Sequence, residues 1–225
     1  MREVLARIRT MWLVAKRGEI TEIIQGAQQR VYSNSTSLVL RRDLSKPLKP
    51  PSSKQPITVR PIRDSDLSRI VKERPRRYSV LRANIPTCYV AESTDGQLCY
   101  MQWLIAPDEQ QRLKPYIKGE LRELLPEEVL LEFAYTFEKF RGQGVMPAAM
   151  ATIAEQGMCD GARWAITYVK EDNIASLKGC SKAGFRPYMM CEAQWRFFRF
   201  RQSFRLLPEG AQYSFEQEPP PDVKP

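Results

Sequence analysis

The sequence predicts an α/β protein, and three stretches carry that prediction. In the first, Val129, Leu131, Phe133, Tyr135 and Phe137 alternate with Leu130, Glu132, Ala134 and Thr136, the period of two of a strand. That strand runs into Lys139-Phe140-Arg141-Gly142-Gln143-Gly144 and then into a helix of small residues with Pro147 in its first turn. Such a turn aims several free backbone N–H groups at one point, where the helix dipole adds partial positive charge, which makes a pocket for phosphate. In the second stretch, Cys88–Ser93 and Leu98–Ile105 flank Asp95-Gly96, a strong hairpin turn. In the third, the strand Trp164–Val169 precedes a helix from Ile174 to Lys182, capped by Asp172 or Asn173 and closed by Gly184.

Taken in order, residues 2–17 fit a helix, with Val4, Leu5, Ile8, Met11, Trp12 and Ala15 at spacings of three and four. Two readings stand for it: a helix docking its apolar face on the core, or a basic amphipathic helix at an anionic membrane surface. Residues 19–32 are compatible with more helix, Ser33 to Ser37 reads as a polar turn, and Leu38 to Arg42 as a short strand. Residues 1–44 are thus expected to form a basic, largely helical N-terminal extension. Residues 45–56 hold four prolines and two further serines after Ser45, and read as a linker. Ile57–Ile62 is a short strand, and Asp64-Ser65-Asp66 offers caps to a helix through Leu67, Ile70 and Val71. Pro75 interrupts it, with a second short helix to Ala83. Residues 107–125 are charged and read as helical or irregular, and Gly161 closes the central helix. The aromatic and basic stretch from Pro187 to Phe204 reads as late strands that bury aromatics and turn arginines outward, which is favoured over a nucleic-acid surface. Residues 57–205 make one domain, and residues 206–225 a mobile tail.

The totals exclude several chemistries. With no histidine in 225 residues, Ser-His-Asp and Cys-His nucleophilic catalysis are ruled out. Five cysteines without a CxxC pair indicate neither a disulfide framework nor a zinc site, so no metal is expected and reduced thiols suit a cytoplasmic setting. No apolar run approaches the roughly 20 residues of a membrane span, and no signal peptide is expected. The net charge is +9, and residues 1–55 carry 11 basic against 4 acidic side chains, so most of the excess lies in the extension. That favours an anionic partner: an acidic substrate, a membrane surface or nucleic acid.

Two motifs and the order of elements resemble the GNAT superfamily of acyl-CoA-dependent N-acyltransferases. One is the family's Gln/Arg-x-x-Gly-x-Gly/Ala pyrophosphate loop, here Lys139 to Gly144, with both glycines kept and Lys in the lead position. The other is Asn-x-x-Ser/Ala followed by a helix and Gly-Phe, here Asn173, Ser176 and Gly184-Phe185. The resemblance covers residues 57 to about 200. It implies a mixed, mostly antiparallel central sheet flanked by helices. It implies acetyl-CoA as cosubstrate, cradled by Lys139, Arg141, Gly142, Gln143, Gly144 and Val145, with Asn173 and Ser176 flanking the pantetheine arm. The strand ending at Phe137 would offer its unpaired edge to the pantetheine amides, as an added strand would be held. The implied activity is transfer of an acetyl group to a primary amine of a small acceptor, an anionic one if the basic surface selects it.

That chemistry needs a base for the ammonium and donors for a tetrahedral oxyanion. At pH 7 only about one lysine-like amine in 2,500 is neutral. Glu128 and Glu132, four apart on one strand, are the candidate bases, and some family members place a base at the position matching Glu128. Many members place a tyrosine seven residues after the motif asparagine as acid for the departing thiolate. Here that position is Cys180, which is either a donor or a small buried hydrophobe. Tyr168 and Tyr188 are other donors without motif support. Two alternatives stay open: a non-catalytic acyl-CoA-binding module, and a membrane- or nucleic-acid-associated protein acting through its basic extension. The loops at 72–87 and 106–126, where the fold class would read its acceptor, carry no motif, and oligomeric state is not legible.

Overall fold

The computed structural model describes residues 28–73, 85–113, 121–208, 213 and 215. The elements run β1 (Tyr32–Asp43), β2 (Ile57–Pro61), α1 (Asp64–Glu73), β3 (Cys88–Ser93), β4 (Leu98–Ile105), α2 (Gln110–Leu113) and β5 (Glu128–Thr136). After a 3-10 turn at Glu138–Phe140 come α3 (Val145–Cys159), β6 (Trp164–Lys170), α4 (Ile174–Lys182), β7 (Arg186–Arg196) and β8 (Arg199–Leu206). The strands form one sheet in the order β2-β3-β4-β5-β6-β1-β7-β8. Every neighbouring pair is antiparallel except β5 and β6, which run parallel. This is the mixed, mostly antiparallel sheet the sequence points to.

Local chemistry explains most of the boundaries. Gly96 turns the β3–β4 hairpin at φ +75°, and its N–H donates to the Ser93 carbonyl at 2.9 Å. Asp66 receives the Arg63 N–H at 2.8 Å at the start of α1 and also pairs with Arg60 on β2 at 2.7 Å. α3 carries alanines and a glycine on its sheet side because it lies very close to the strands. A Cβ at Gly157 would fall 2.7 Å from the Val129 side chain. The core gathers around Trp103, Tyr100, Leu38, Leu40, Leu130 and Leu131, all at 1% exposure or less. Burying each such side chain contributes about 1.5–3 kcal/mol.

Residues 32–43 correct the expectation of an extension standing apart from the domain. They form a 12-residue strand between β6 and β7, antiparallel to both. Leu38, Val39 and Leu40 are buried on both faces of the sheet, the signature of an interior strand. Arg42, 4% exposed, donates to the Ala151 carbonyl and to Glu155 of α3, each at 3.1 Å. The polar turn expected at Ser33–Ser37 is part of this strand. The proline-rich segment after it is a packed strap rather than a free linker. Its Lys54 N–H donates to the Gln143 carbonyl at 2.8 Å, and Leu48 lies against Gly184.

At the other end, Tyr213 stacks on Phe215 at 5.3 Å, and Phe215 is buried in the core. The expected tail is therefore anchored at that point. The helix expected over residues 2–17, most of that over 19–32, the short helix reaching Ala83 and part of 107–125 lie outside the described residues. Among the described residues no helix is long and apolar enough to cross a membrane. No group of three His, Cys, Asp or Glu is placed to hold a metal ion among them either.

Candidate functional site

β5 and β6 meet over three residue pairs, Glu128↔Trp164, Val129↔Ala165 and Leu130↔Ile166, and then part. On the other side of β5 a bulge marks the same point. Met101 pairs with Tyr135 but Trp103 with Glu132, so β5 spends three steps where β4 spends two. Phe133 takes φ +58°, a left-handed value that costs a bulky residue on the order of 1–2 kcal/mol. Its ring packs edge-on against the buried Trp103 at 5.8 Å, which helps offset that strain.

Where the strands part there is a cleft of about 360 Å³. It passes through the sheet. On the side where Arg42 reaches α3, its walls are Met146 and Met150 of α3 and Asn173, Ser176 and Cys180 of α4. On the opposite face they are Ser35 and Ser37 of β1 with their register partners Ala193 and Cys191 of β7. Two ligands could therefore approach each other from opposite faces.

The glycine loop leads into α3, whose Met146 lines the helix side of this cleft. Gly142 and Gly144 take φ +71° and +75°, and Gly144 caps α3. A Cβ at Gly144 would strike the Ser52 carbonyl of the strap at 2.7 Å, so both its conformation and its crowding demand glycine. Among the described residues, the N–H groups of Gly142, Gln143, Gly144, Val145 and Met146 make no hydrogen bond beyond their own turn and helix. Backbone amides at a helix N-terminus fit an anionic group such as a pyrophosphate. The side chains around them are otherwise engaged. Lys139 donates to Gln97 at 2.9 Å, Arg141 pairs with Glu138 at 3.2 Å, and the Gln143 amide donates to the Lys139 carbonyl at 2.8 Å. Phe137 and Lys139 line a separate depression beside the β3–β4 hairpin, away from the cleft.

The two glutamates part company. Glu128, 6% exposed, sits where β5 and β6 are still paired and outside the cleft lining. Its carboxylate takes the Arg122 guanidinium at 2.5 Å and the Leu125 N–H at 2.9 Å. Arg122 also donates to the Tyr188 hydroxyl at 2.9 Å and, through its backbone, to Tyr168 at 3.0 Å. Burial pushes both phenols up, so neither is a ready proton source at neutral pH. Glu132 lines the cleft, and its carboxylate accepts the Tyr168 N–H at 3.0 Å, where a ladder carbonyl would otherwise be.

Cys180 lines the cleft, 1% exposed, with its Sγ 3.8 Å from the Met150 sulfur. Burial, with the Glu132 charge behind it, pushes this thiol up to about 12. Protonating a departing thiolate of pKa near 8.5 from such a group is uphill. Asn173 caps α4, its Oδ1 accepting the Ser176 N–H at 3.2 Å, and both residues line the cleft. Sequence reasoning missed Arg122, Gln102, Thr167 and the β1 serines, all of which need strand neighbours to be seen. The charged segment before Pro126, which includes Arg122, was a hint of a partner for Glu128.

No family model and no curated protein matches this sequence. Solved structures do. A GNAT-family acetyltransferase from Colwellia psychrerythraea superposes with a TM-score of 0.54 at 15% identity, over 75% of this chain and 58% of that one. A glucosamine N-acetyltransferase region of a fungal multi-domain GH3 β-N-acetylglucosaminidase gives 0.52 at 13% identity, over 77% of this chain and 22% of that one. A Drosophila protein gives 0.53 at 10% identity, over 83% and 58%. The chain thus spans well under two thirds of the length of each, and at these identities the likeness is one of fold.

Proposed function

We propose that this chain, whose fold is that of the GNAT acetyltransferases, moves an acetyl group from acetyl-CoA to a primary amine of a small acceptor. The observation that carries this reading is the cleft where parallel β5 and β6 separate, with Met146, in the first turn of the helix that the glycine loop enters, on its wall. The amides of Gly142 to Met146 would hold the coenzyme pyrophosphate, helped by the α3 dipole. The β5 edge beyond Leu130, where the register with β6 has ended, would hold the pantetheine amides, and Asn173 and Ser176 would flank them.

Glu132 is the base in this reading, directly or through a water, because it is the carboxylate that lines the cleft. Glu128 instead ties Arg122, Tyr168 and Tyr188 into the closed end of the sheet. Cys180 is a packing residue, and solvent protonates the leaving thiolate. The acceptor enters from the face carrying Ser35 and Ser37, and Lys170 at its rim suits an acceptor with an anionic group. The basic N-terminal residues and a cytoplasmic setting accord with such a substrate but do not define it.

Calorimetry of the full chain with coenzyme A is the first test. Failure of the folded protein to bind at millimolar ligand would sink the reading. Gly142 has open space around it, so Gly142→Trp should fill the cradle and remove coenzyme binding while the protein still melts cooperatively. Binding without turnover across a panel of amines would leave a non-catalytic acyl-CoA module, the alternative that Cys180 in place of tyrosine favours.

A further inference from the structure

Among the described residues, one buried polar atom of a cleft-lining side chain lacks a hydrogen-bond partner. Gln102 on β4 is 0% exposed, and its Nε2 is the one buried side-chain nitrogen or oxygen without a hydrogen bond among the described residues. Its Oε1 accepts the hydroxyl of Tyr100 at 2.8 Å. Burial raises the Tyr100 phenol well above its usual range, so that hydroxyl keeps its proton and keeps the amide oxygen occupied. The two N–H bonds of the amide are left to the cleft, which Gln102 lines.

An unsatisfied buried amide donor is a standing cost to a folded protein, and an apolar residue of the same size would avoid it. The flanking positions Met101 and Trp103 are apolar and buried, as such a strand interior favours. Gln102 lies between them, and since Met101 pairs with Tyr135 and Trp103 with Glu132, it faces the bulge at Phe133 and Ala134. That is where β5 leaves β6 and where the reacting groups meet in the reading above. The Glu132 carboxylate on the same wall is already an acceptor for the Tyr168 N–H. Among the described residues this wall lacks an acceptor for Gln102, and a ligand can bring one.

We propose that Gln102 Nε2 donates a hydrogen bond to the carbonyl oxygen of the acyl thioester and to the oxyanion that oxygen becomes, making Gln102 a catalytic residue. This rests on the acyl-CoA reading. The amine lone pair forms the C–N bond, and the carbonyl π pair moves onto oxygen, where the Gln102 N–H meets it. On collapse that pair re-forms the carbonyl, the C–S bond breaks, and its electrons leave on sulfur as the thiolate. The proton lost by the amine passes to Glu132, directly or through water, and on to solvent. A fixed neutral donor held by the sheet costs little reorganisation as the charge develops.

The test compares coenzyme A with acetyl-CoA by calorimetry on the full chain, in the wild type and in Gln102→Met, which keeps the length and removes the donors. The wild type should bind acetyl-CoA about tenfold more tightly than coenzyme A, the range of one hydrogen bond to a buried donor. Gln102→Met should bind coenzyme A as the wild type does and lose the preference. Its kcat should fall on the order of 100-fold with the amine KM unchanged. With carbonyl-labelled acetyl-CoA, the C=O stretch should move to lower frequency on binding wild type and not on binding the variant. Equal wild-type affinity for the two ligands, which needs no variant to measure, overturns the proposal, as does a variant that keeps the preference. A wild type that binds neither ligand overturns the acyl-CoA reading and this one together, so the two failures are distinguishable.

Discussion

Glu128 and Glu132 lie four residues apart on β5, yet the two ends of the strand they mark are different kinds of place. At Glu128 the ladder to β6 is intact, and the carboxylate is locked to Arg122 with two tyrosines around it. At Glu132 the ladder has ended, a carboxylate accepts the N–H a backbone carbonyl would have taken, and the Gln102 amide nitrogen has no acceptor among the described residues. The same residue type closes the sheet at one end and furnishes an opening at the other. What separates them is whether a neighbouring strand has already met the hydrogen-bonding needs of the backbone.

The largest effect should come from removing what spans both ends. β1 carries Arg41 over the Trp164 and Tyr188 rings at 4.6 and 4.8 Å near the closed end, and Ser35 and Ser37 at the open one. Deleting residues 1–44 takes an interior strand from between β6 and β7, and the product should lack a cooperative melt by circular dichroism.

Next, Glu128→Ala leaves the Arg122 guanidinium largely buried without its carboxylate, which should cost about 3–5 kcal/mol in urea unfolding. Coenzyme A affinity of the folded fraction should hold. A loss of turnover larger than the loss of folded protein would erase the distinction between the two ends.

Glu132→Gln should behave in the opposite way. Stability should change by about 1 kcal/mol or less, since Gln can still accept the Tyr168 N–H, while kcat falls by about 10²–10⁴. A smaller effect than that of Glu128→Ala on kcat would reverse the assignment of the base.

Smaller still is the contribution of an ion pair at the far edge of the sheet, which serves as a control. The hydrogen bond from Arg60 holds Asp66 below the usual carboxylate range. A folded-state value below the unfolded one, near 3.9, means this stabilisation is complete above about pH 4 and is lost as pH falls through the folded value. Asp66→Asn should therefore flatten the acid limb of stability, read by urea midpoints from pH 2 to 5 on the order of those values, and leave turnover at neutral pH untouched. The smallest change is expected for Cys180→Ala. A thiol held near 12 does not titrate in the working range, so the pH–rate profile should keep its shape and kcat should move by less than about threefold.

How much could be read beforehand depended on how local the cause was. The Asp95-Gly96 hairpin, the glycine loop and the Asn173 cap were legible because each is set by residues within a few positions of one another. β3, β4 and α4 begin and end where their turn and cap residues place them. The polar run Ser33–Ser37 reads as a turn because serine and asparagine have weak strand preference. It is a strand because β7 pairs along the whole run, with β6 joining on the other side at Ser37. The proline-rich strap looks like a spacer by composition, but Gly144 has no Cβ, and that leaves room for Ser52 against the loop.

By itself the sequence determined the glycine turn, its following helix and the absence of histidine chemistry, since these follow from residue types and short spacings. Only the tertiary structure decided that β5 leaves β6 after Leu130, that Glu132 rather than Glu128 faces the opening, and that Gln102 is stranded beside it. Those outcomes depend on strand pairings between residues tens of positions apart, and a spacing of four along one strand carries no information about which neighbour is present at each end.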